Sequence, residues 1–180
     1  MKTQRRKNAG FSLIELLISM AVVLILVGGI AVAGARSLAA GRETSAVQSA
    51  QSFVTHATVY QKNWGGYPAL AANLGGAGLA APAACTNDND ITTAQAASYD
   101  AGTAVNSGYT LSYKGLGPFT GTSACGVVTT FDFTANPVDA KTKSFCSDEN
   151  GTYYLPAGTA MANTGAGCLI DNAAALPVGQ

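Results

Sequence analysis

From Phe11 to Ala35 the chain is apolar at nearly every position, a run of 25 residues in which Glu15 is the only ionisable side chain. A run this long and greasy all round predicts a helix able to cross a hydrocarbon core of about 30 Å. After Arg36 the pattern becomes one-sided. Leu38, Val47, Ala50, Phe53, Val54, Ala57, Tyr60 and Trp64 recur at three- and four-residue steps, while Gln48, Ser49, Gln51, Ser52 and Thr55 fill the opposite side. That period predicts an amphipathic continuation of the same helix over 36–63. At about 1.5 Å per residue the two halves together would measure near 80 Å. Gly28, Gly29, Gly34 and Gly41 are weak points, each costing about 1 kcal/mol relative to Ala. Gly65, Gly66 and Pro68 predict the end of the helix.

Residues 65–108 are rich in Gly, Ala and Asn and predict loop, with one short helix over 91–99. A period of two then takes over. The segment GYTLSYKG (108–115) puts Tyr109, Leu111 and Tyr113 on one face. In GVVTTFDFTANPV (126–138), Val128, Thr130 and Asp132 alternate with Val127, Thr129, Phe131 and Phe133. The segment KSFCSDENGTYYLPA (143–157) predicts a hairpin turning at Asn150-Gly151, between Phe145 and Tyr154. The tail, 158–180, reads as small and irregular. The fold class is therefore α+β: a long N-terminal helix whose amphipathic half packs on a small antiparallel sheet of three or four strands. Such a sheet needs a helix across its apolar face, and the greasy half is left with no partner in its own chain. The expected divisions are a leader (1–10), an apolar helix (11–35), an amphipathic helix (36–63) and a β-rich head (64–180).

The full chain has no net charge, but Lys2, Arg5, Arg6 and Lys7 all precede Gly10, where no acid occurs. Basic residues before an apolar span hold that end in the cytoplasm. Beyond residue 10 six basic side chains face ten acidic ones, a poor balance for a nucleic-acid binder, whose affinity rests on neutralising phosphates. Charged residues are only 11% of the chain, a mild surface suited to packing against copies of itself. Cys85, Cys125, Cys146 and Cys168 form no C-x-x-C pair and lie far from the single His56, which argues against zinc. They read as two disulfides made in an oxidising compartment. Three connectivities are open; Cys85–Cys125 with Cys146–Cys168 is preferred, and Cys125–Cys146 is the alternative. The Cys146–Cys168 bridge would staple the tail to the late strand, closing a loop of roughly 20 residues and stabilising by about 3 kcal/mol.

One charge in the greasy run demands an explanation. A carboxylate deep in a bilayer costs roughly 3 kcal/mol or more, yet the segment KNAGFSLIEL (7–16) places Glu15 there. With its basic leader, AGFSLIELLIS (9–19) resembles the processing site of type IV prepilins and of the related type II secretion pseudopilins. The family pattern has Gly before the cut, Phe after it and Glu five positions into the mature chain; here these are Gly10, Phe11 and Glu15. The resemblance covers about the first 60 residues. Beyond them it is architectural, helped by SFCSDENGTYYL, which is similar to a late hairpin of some pilins. The chain departs from many pilins in lacking a proline about twenty residues into the mature helix; Gly28, Gly29 and Gly34 stand there instead.

The resemblance implies a structural subunit of a bacterial type IV pilus, a fimbrium. A prepilin peptidase would cut after Gly10 and methylate the new amine of Phe11. The precursor would sit in the inner membrane by a single span, N-terminus in the cytoplasm. Assembly machinery in that membrane would then draw subunits into a homopolymer on the cell surface. The freed Phe11 amine is cationic, so it offsets Glu15 in a core of low dielectric, within one helix or between neighbouring subunits. The alternative is a pseudopilin of a periplasmic secretion filament. A third reading, an enzyme or receptor domain on a membrane anchor, lacks support: no G-x-S-x-G, H-E-x-x-H or phosphate-binding loop occurs. No cofactor or metal is expected. Asp88, Asp90, Asp148 and Glu149 read as solvated turns in preference to a calcium site, Asn150-Gly151-Thr152 as a turn in preference to a glycosylation site, and His56 as a surface or sheet-contact residue. Adhesion, motility, DNA uptake and electron transfer remain undivided by the sequence.

Overall fold

A computed structural model describes residues 12–74, 91–117 and 126–179, without the side chains of 28–36 and 93. The chain divides into two compact units, 1–40 and 41–180. Helix α1, Leu13–Trp64, contributes to both. It ends where Gly65 takes a φ of +80° and donates its N–H to the Gln61 carbonyl at 2.8 Å, a left-handed cap that a side chain would strain.

In the first unit the described side chains of α1, Leu13–Val27, are exposed. Among the described residues no helix is long and apolar enough to cross a membrane. Leu13–Val27 spans about 22 Å at about 1.5 Å per residue, and the expected span 11–35 extends past it at both ends.

In the second unit, β1 (Tyr67–Pro68) is followed by a 3-10 turn (Ala71–Leu74), α2 (Thr93–Asp100), β2 (Ala104–Asn106), β3 (Tyr109–Leu116), β4 (Val127–Val128) and β5 (Thr130–Pro137). Then come β6 (Ser144–Asp148), β7 (Gly151–Leu155), α3 (Cys168–Asp171) and β8 (Leu176–Pro177). Six strands form one antiparallel sheet in the order β2-β3-β5-β6-β7-β8, and β1 pairs with β4 separately. The expected sheet of three or four strands thus gains a short edge on each side, because β2 and β8 are two or three residues long and carry no alternation to read. The strand expected over 126–138 is split at Thr129, since β4 leaves the main sheet to pair with β1. Helix α2 opens with a capping box between Thr92 and Gln95.

The inner face of the sheet takes Tyr109, Leu111 and Tyr113 from β3, Phe131, Phe133 and Ala135 from β5, and Phe145 from β6. Ala46, Ala50, Phe53, Ala57 and Tyr60 of α1 bury against them. Phe53 stacks on Phe133 with ring centroids 4.5 Å apart and meets Tyr113 at 4.7 Å and Tyr99 edge-on at 5.9 Å. Of the expected stripe Ala50, Phe53, Ala57 and Tyr60 are buried and Val47, Val54 and Trp64 half-buried, while Leu38 is 67% exposed and Ala46 is buried in addition. Small alanines on that stripe let the helix backbone come close to the aromatic sheet.

The outer face is covered as well, which is why every residue from Phe131 to Ala135 and from Ser144 to Asp148 is buried. The tail, expected to be irregular, lies across it. Met161 N–H donates to Asn136 Oδ1 at 2.7 Å, Asn163 Nδ2 to Ser112 Oγ at 2.7 Å, and Thr130 Oγ to the Gly165 carbonyl at 2.8 Å. Gly165 has a φ of +87°, and a Cβ there would come within 3.0 Å of the Lys114 carbonyl, so the tail can lie this close to β3 only through a glycine. Cys146 and Cys168 are joined, with Cα atoms 5.7 Å apart and a sequence separation of 22. This leaves no Cys146 thiol for the alternative Cys125–Cys146 pair. Cys85 and Cys125 lie outside the described residues.

The hairpin corrects a further expectation. Asp148 pairs with Gly151, so Glu149 and Asn150 form the turn instead of Asn150-Gly151; Phe145 does face Tyr154. The cause is Asp148, whose Oδ1 accepts the N–H groups of Asn150 (2.8 Å) and Gly151 (3.0 Å) while Oδ2 accepts that of Cys168 at 2.9 Å. Asp148 is therefore not a solvated turn carboxylate but a buried one, 2% exposed.

Two substitutions test this packing by denaturant unfolding of the full chain in mild detergent. Phe53→Ala is expected to destabilise by about 3–5 kcal/mol, whereas Gln51→Ala on the exposed side of the same helix should stay within about 0.5 kcal/mol. Asp148→Ala strands three N–H groups and is expected to lose roughly 3 kcal/mol; a loss no larger than that of Gln51→Ala would show that the carboxylate does not hold turn and tail.

Candidate assembly surface and processing motif

Gly10 and Phe11 lie outside the described residues. Description begins at Ser12, whose carbonyl accepts the Leu16 N–H at 3.2 Å and opens α1. Glu15 lies in the first turn of the helix, where a negative side chain is favoured by the exposed N–H groups and the helix dipole. It is exposed, within an exposed apolar surface: Leu13 is 82% open and Leu24 74%. Ser19 Oγ turns back onto the Leu16 carbonyl at 2.9 Å and so adds no free polar group to that surface. Apolar area of this extent is a mark of a surface that is covered by something else. The local chemistry is therefore an apolar helix carrying one carboxylate near its start.

Ser52 Oγ and His56 Nε2 are 3.5 Å apart on one turn of α1, a long contact on an exposed stretch. The group of potential metal ligands among the described residues is Asp132, Cys146 and Cys168, and both sulfurs are consumed by the disulfide. Without thiolates this group is not a zinc site. Of the four acids weighed as calcium ligands, Asp88 and Asp90 lie outside the described residues. Asp148 spends its oxygens on backbone N–H groups, and Glu149 sits in the exposed turn.

Acidic groups with structural work to do are more numerous than the sequence suggests. Asp100, at the end of α2, accepts the N–H groups of Ala71 at 2.7 Å and Ala72 at 3.0 Å; burial raises its pKa, and those two bonds pull it partly back. Asp132 is fully buried on the outer face of β5, where burial, and then the Asp171 carboxyl beside it, push its pKa up to about 7. The Gly165 N–H, 2.9 Å from Oδ2, works in the opposite sense. Burial also raises Asp171, but the adjacent Asp132 carboxyl, a donor to it when protonated, and the bonds from the Thr164 hydroxyl and N–H outweigh this and hold Asp171 below the ordinary range. The one sequence signal for Asp132 was its place between two phenylalanines, in FDF; Asp171, in the tail, had none.

Residues 5–31 match the family model described as the prokaryotic N-terminal methylation motif, the signature of type IV pilins and pseudopilins. No curated protein and no solved structure matches the chain. The motif points to a pilin-like or pseudopilin structural subunit.

Proposed function

We propose that the chain is the structural subunit of a bacterial type IV pilus. A prepilin peptidase cuts it after Gly10 and methylates Phe11, and it polymerises through its N-terminal helix. The observation that carries this reading is the methylation motif over 5–31, which contains Gly10, Phe11 and Glu15 at the required spacing. The exposed apolar surface of Leu13–Val27 supports it, because a filament core gives such a surface a partner that a lone subunit in water does not have. Before assembly the helix is held in the inner membrane with the basic leader in the cytoplasm. Afterwards the heads face outward on the cell surface.

Cleavage creates the charge that Glu15 needs. The Phe11 amine is cationic at neutral pH and stays so on methylation, so a buried Glu15 close to it is a paired charge and not an isolated one. The pair fixes the axial register of an incoming subunit, and the apolar surroundings supply most of the adhesion. The absence of proline from Leu13–Trp64 keeps a second reading beside the first, a pseudopilin in a periplasmic secretion filament.

Intact-mass and N-terminal analysis of a sheared cell-surface fraction tests the proposal. The expected species starts at Phe11, carries one added methyl group and lacks four cysteine hydrogens. A processed chain confined to the cell envelope supports the pseudopilin, and an uncut chain starting at Met1 overturns both. Glu15→Ala is expected to be cut normally yet to fall at least about tenfold in the sheared fraction; assembly at normal yield and register would remove Glu15 from the mechanism.

A further inference from the structure

Asp132 is a buried carboxyl whose hydrogen bonding does not close. Oδ2 accepts the Gly165 N–H at 2.9 Å, but Oδ1 is buried with no partner among the described residues. An ionised carboxylate in that position carries a desolvation cost that the single Gly165 N–H offsets only in part. The charged groups around it come from three elements. Lys114 lies opposite on β3, but its side chain is exposed. Asp148 comes from β6 and Asp171 from α3, both acidic. The Cys146–Cys168 disulfide alongside does not titrate.

Neither acid can serve Asp132 while all three are ions, because carboxylates only accept. Asp148 is already engaged by three N–H groups, and Asp171 accepts the Thr164 N–H at 2.6 Å and hydroxyl at 2.5 Å. A single proton on Asp132 resolves the site. Its Oδ1–H then donates to Asp171, the orphaned atom gains a partner, and two like charges become one. We propose that Asp132 and Asp171 share one proton and form a pH-operated clasp, which fastens the tail segment 161–171 to the outer face of the sheet while the proton is held and loosens it when the proton leaves.

The direction follows from linkage. Asp132 titrates at about 7 in the folded chain, against an ordinary value of 3.8. Between those values the folded state binds a proton that the unfolded state does not, so the contribution of Asp132 is complete below the window and is lost as pH rises through it. Asp171, lowered in the folded chain, acts in the opposite sense: its contribution is present above the ordinary aspartate value and is lost only in acid. The clasp is tightest where the pair holds one proton and one charge, at mildly acidic pH. Above about 7 both are ions and repel. The disulfide at Cys168 and the pairing of β8 with β7 do not titrate in this window, so what loosens is the stretch around Asn163–Gly165 on β3 and β5.

The clasp is independent of the filament reading and is tested on the full chain in detergent. The measurements are carboxyl NMR titration of Asp132 and Asp171, and hydrogen exchange at the Thr164, Gly165 and Cys168 amides, corrected for the intrinsic pH dependence of exchange. The expected result is one carboxyl step near neutrality, with opening at Gly165 rising about tenfold or more between about pH 5 and pH 8. In Asp132→Asn the amide donates to Asp171 and still accepts from Gly165 without needing a proton. That variant should keep the tail as protected at high pH as the wild type is at low pH. Carboxyls that both titrate near the ordinary aspartate value, or tail exchange that is equal at the two pH values, would overturn the clasp. So would an Asp132→Asn chain that retains the wild-type pH response. If Asp132→Asn does not fold, Asp171→Asn decides: it removes the like charge and supplies a donor, so the upper step must move to lower pH, and a step that stays in place refutes the pair.

Discussion

The stack of Phe53 on Phe133, centroids 4.5 Å apart, sets how the amphipathic part of α1 meets the sheet. Phe53 is the large side chain at the middle of a stripe that is otherwise mostly alanine, and it inserts among Tyr113, Phe133 and Tyr99. Offset and edge-on arrangements among these rings add to the area they bury. Because Ala46, Ala50 and Ala57 are small, the helix settles close to the sheet and leaves the aromatic residues of β3 and β5 to fill the space. Those two strands run side by side over eight residue pairs, and the shorter strands are added outward from them.

The opposite face of the sheet is closed by different physics. Its strands present Ser112, Asp132, Thr134, Asn136, Ser144 and Cys146, and a polar face can be buried only if its groups find partners. The tail supplies them residue by residue: Asn163 for Ser112 and Thr134, Gly165 for Asp132, Met161 for Asn136, and Thr159 for Ser144. Tyr153, Leu155, Met161 and Ala175 form a small apolar cluster around the disulfide. This division suits the composition. A chain with few charges and many small residues can pass a loop over a sheet with little side-chain bulk in the way.

Buried and half-buried carboxyls recur in this arrangement with two solutions. Asp148 and the half-buried Asp100 accept backbone N–H groups, and Asp132 needs a proton to complete its bonding. In the proposed filament Glu15 has a third solution, a cation that does not exist until the chain is cut. Each case is the same constraint, that a carboxylate leaves water only if something replaces the water. In that proposal processing and assembly are coupled: an uncut subunit has no Phe11 amine to offer.

The sequence by itself determined the features whose signal lies within a few residues: the long helix and its stop at Gly65, the strand face of Tyr109, Leu111 and Tyr113, the Phe145–Tyr154 pairing, and the methylation motif over 5–31 on which the proposed function rests. These are written in steps of two, three or four residues, which local geometry imposes wherever the segment ends up. Only the tertiary structure decided the rest. Edge strands β2 and β8 are too short to show a period. Asp148 displaced the expected turn by accepting the Asn150 and Gly151 N–H groups, and its burial follows from the tail that Cys168, twenty residues away, brings onto its other oxygen. Asp132 looked like an outward-facing strand residue until the tail covered it. Where the tail meets the sheet the partners are far apart in sequence and chemically ordinary, a glycine N–H or an asparagine amide, so nothing in the local pattern marks them; the pairing exists only once the chain has brought them together.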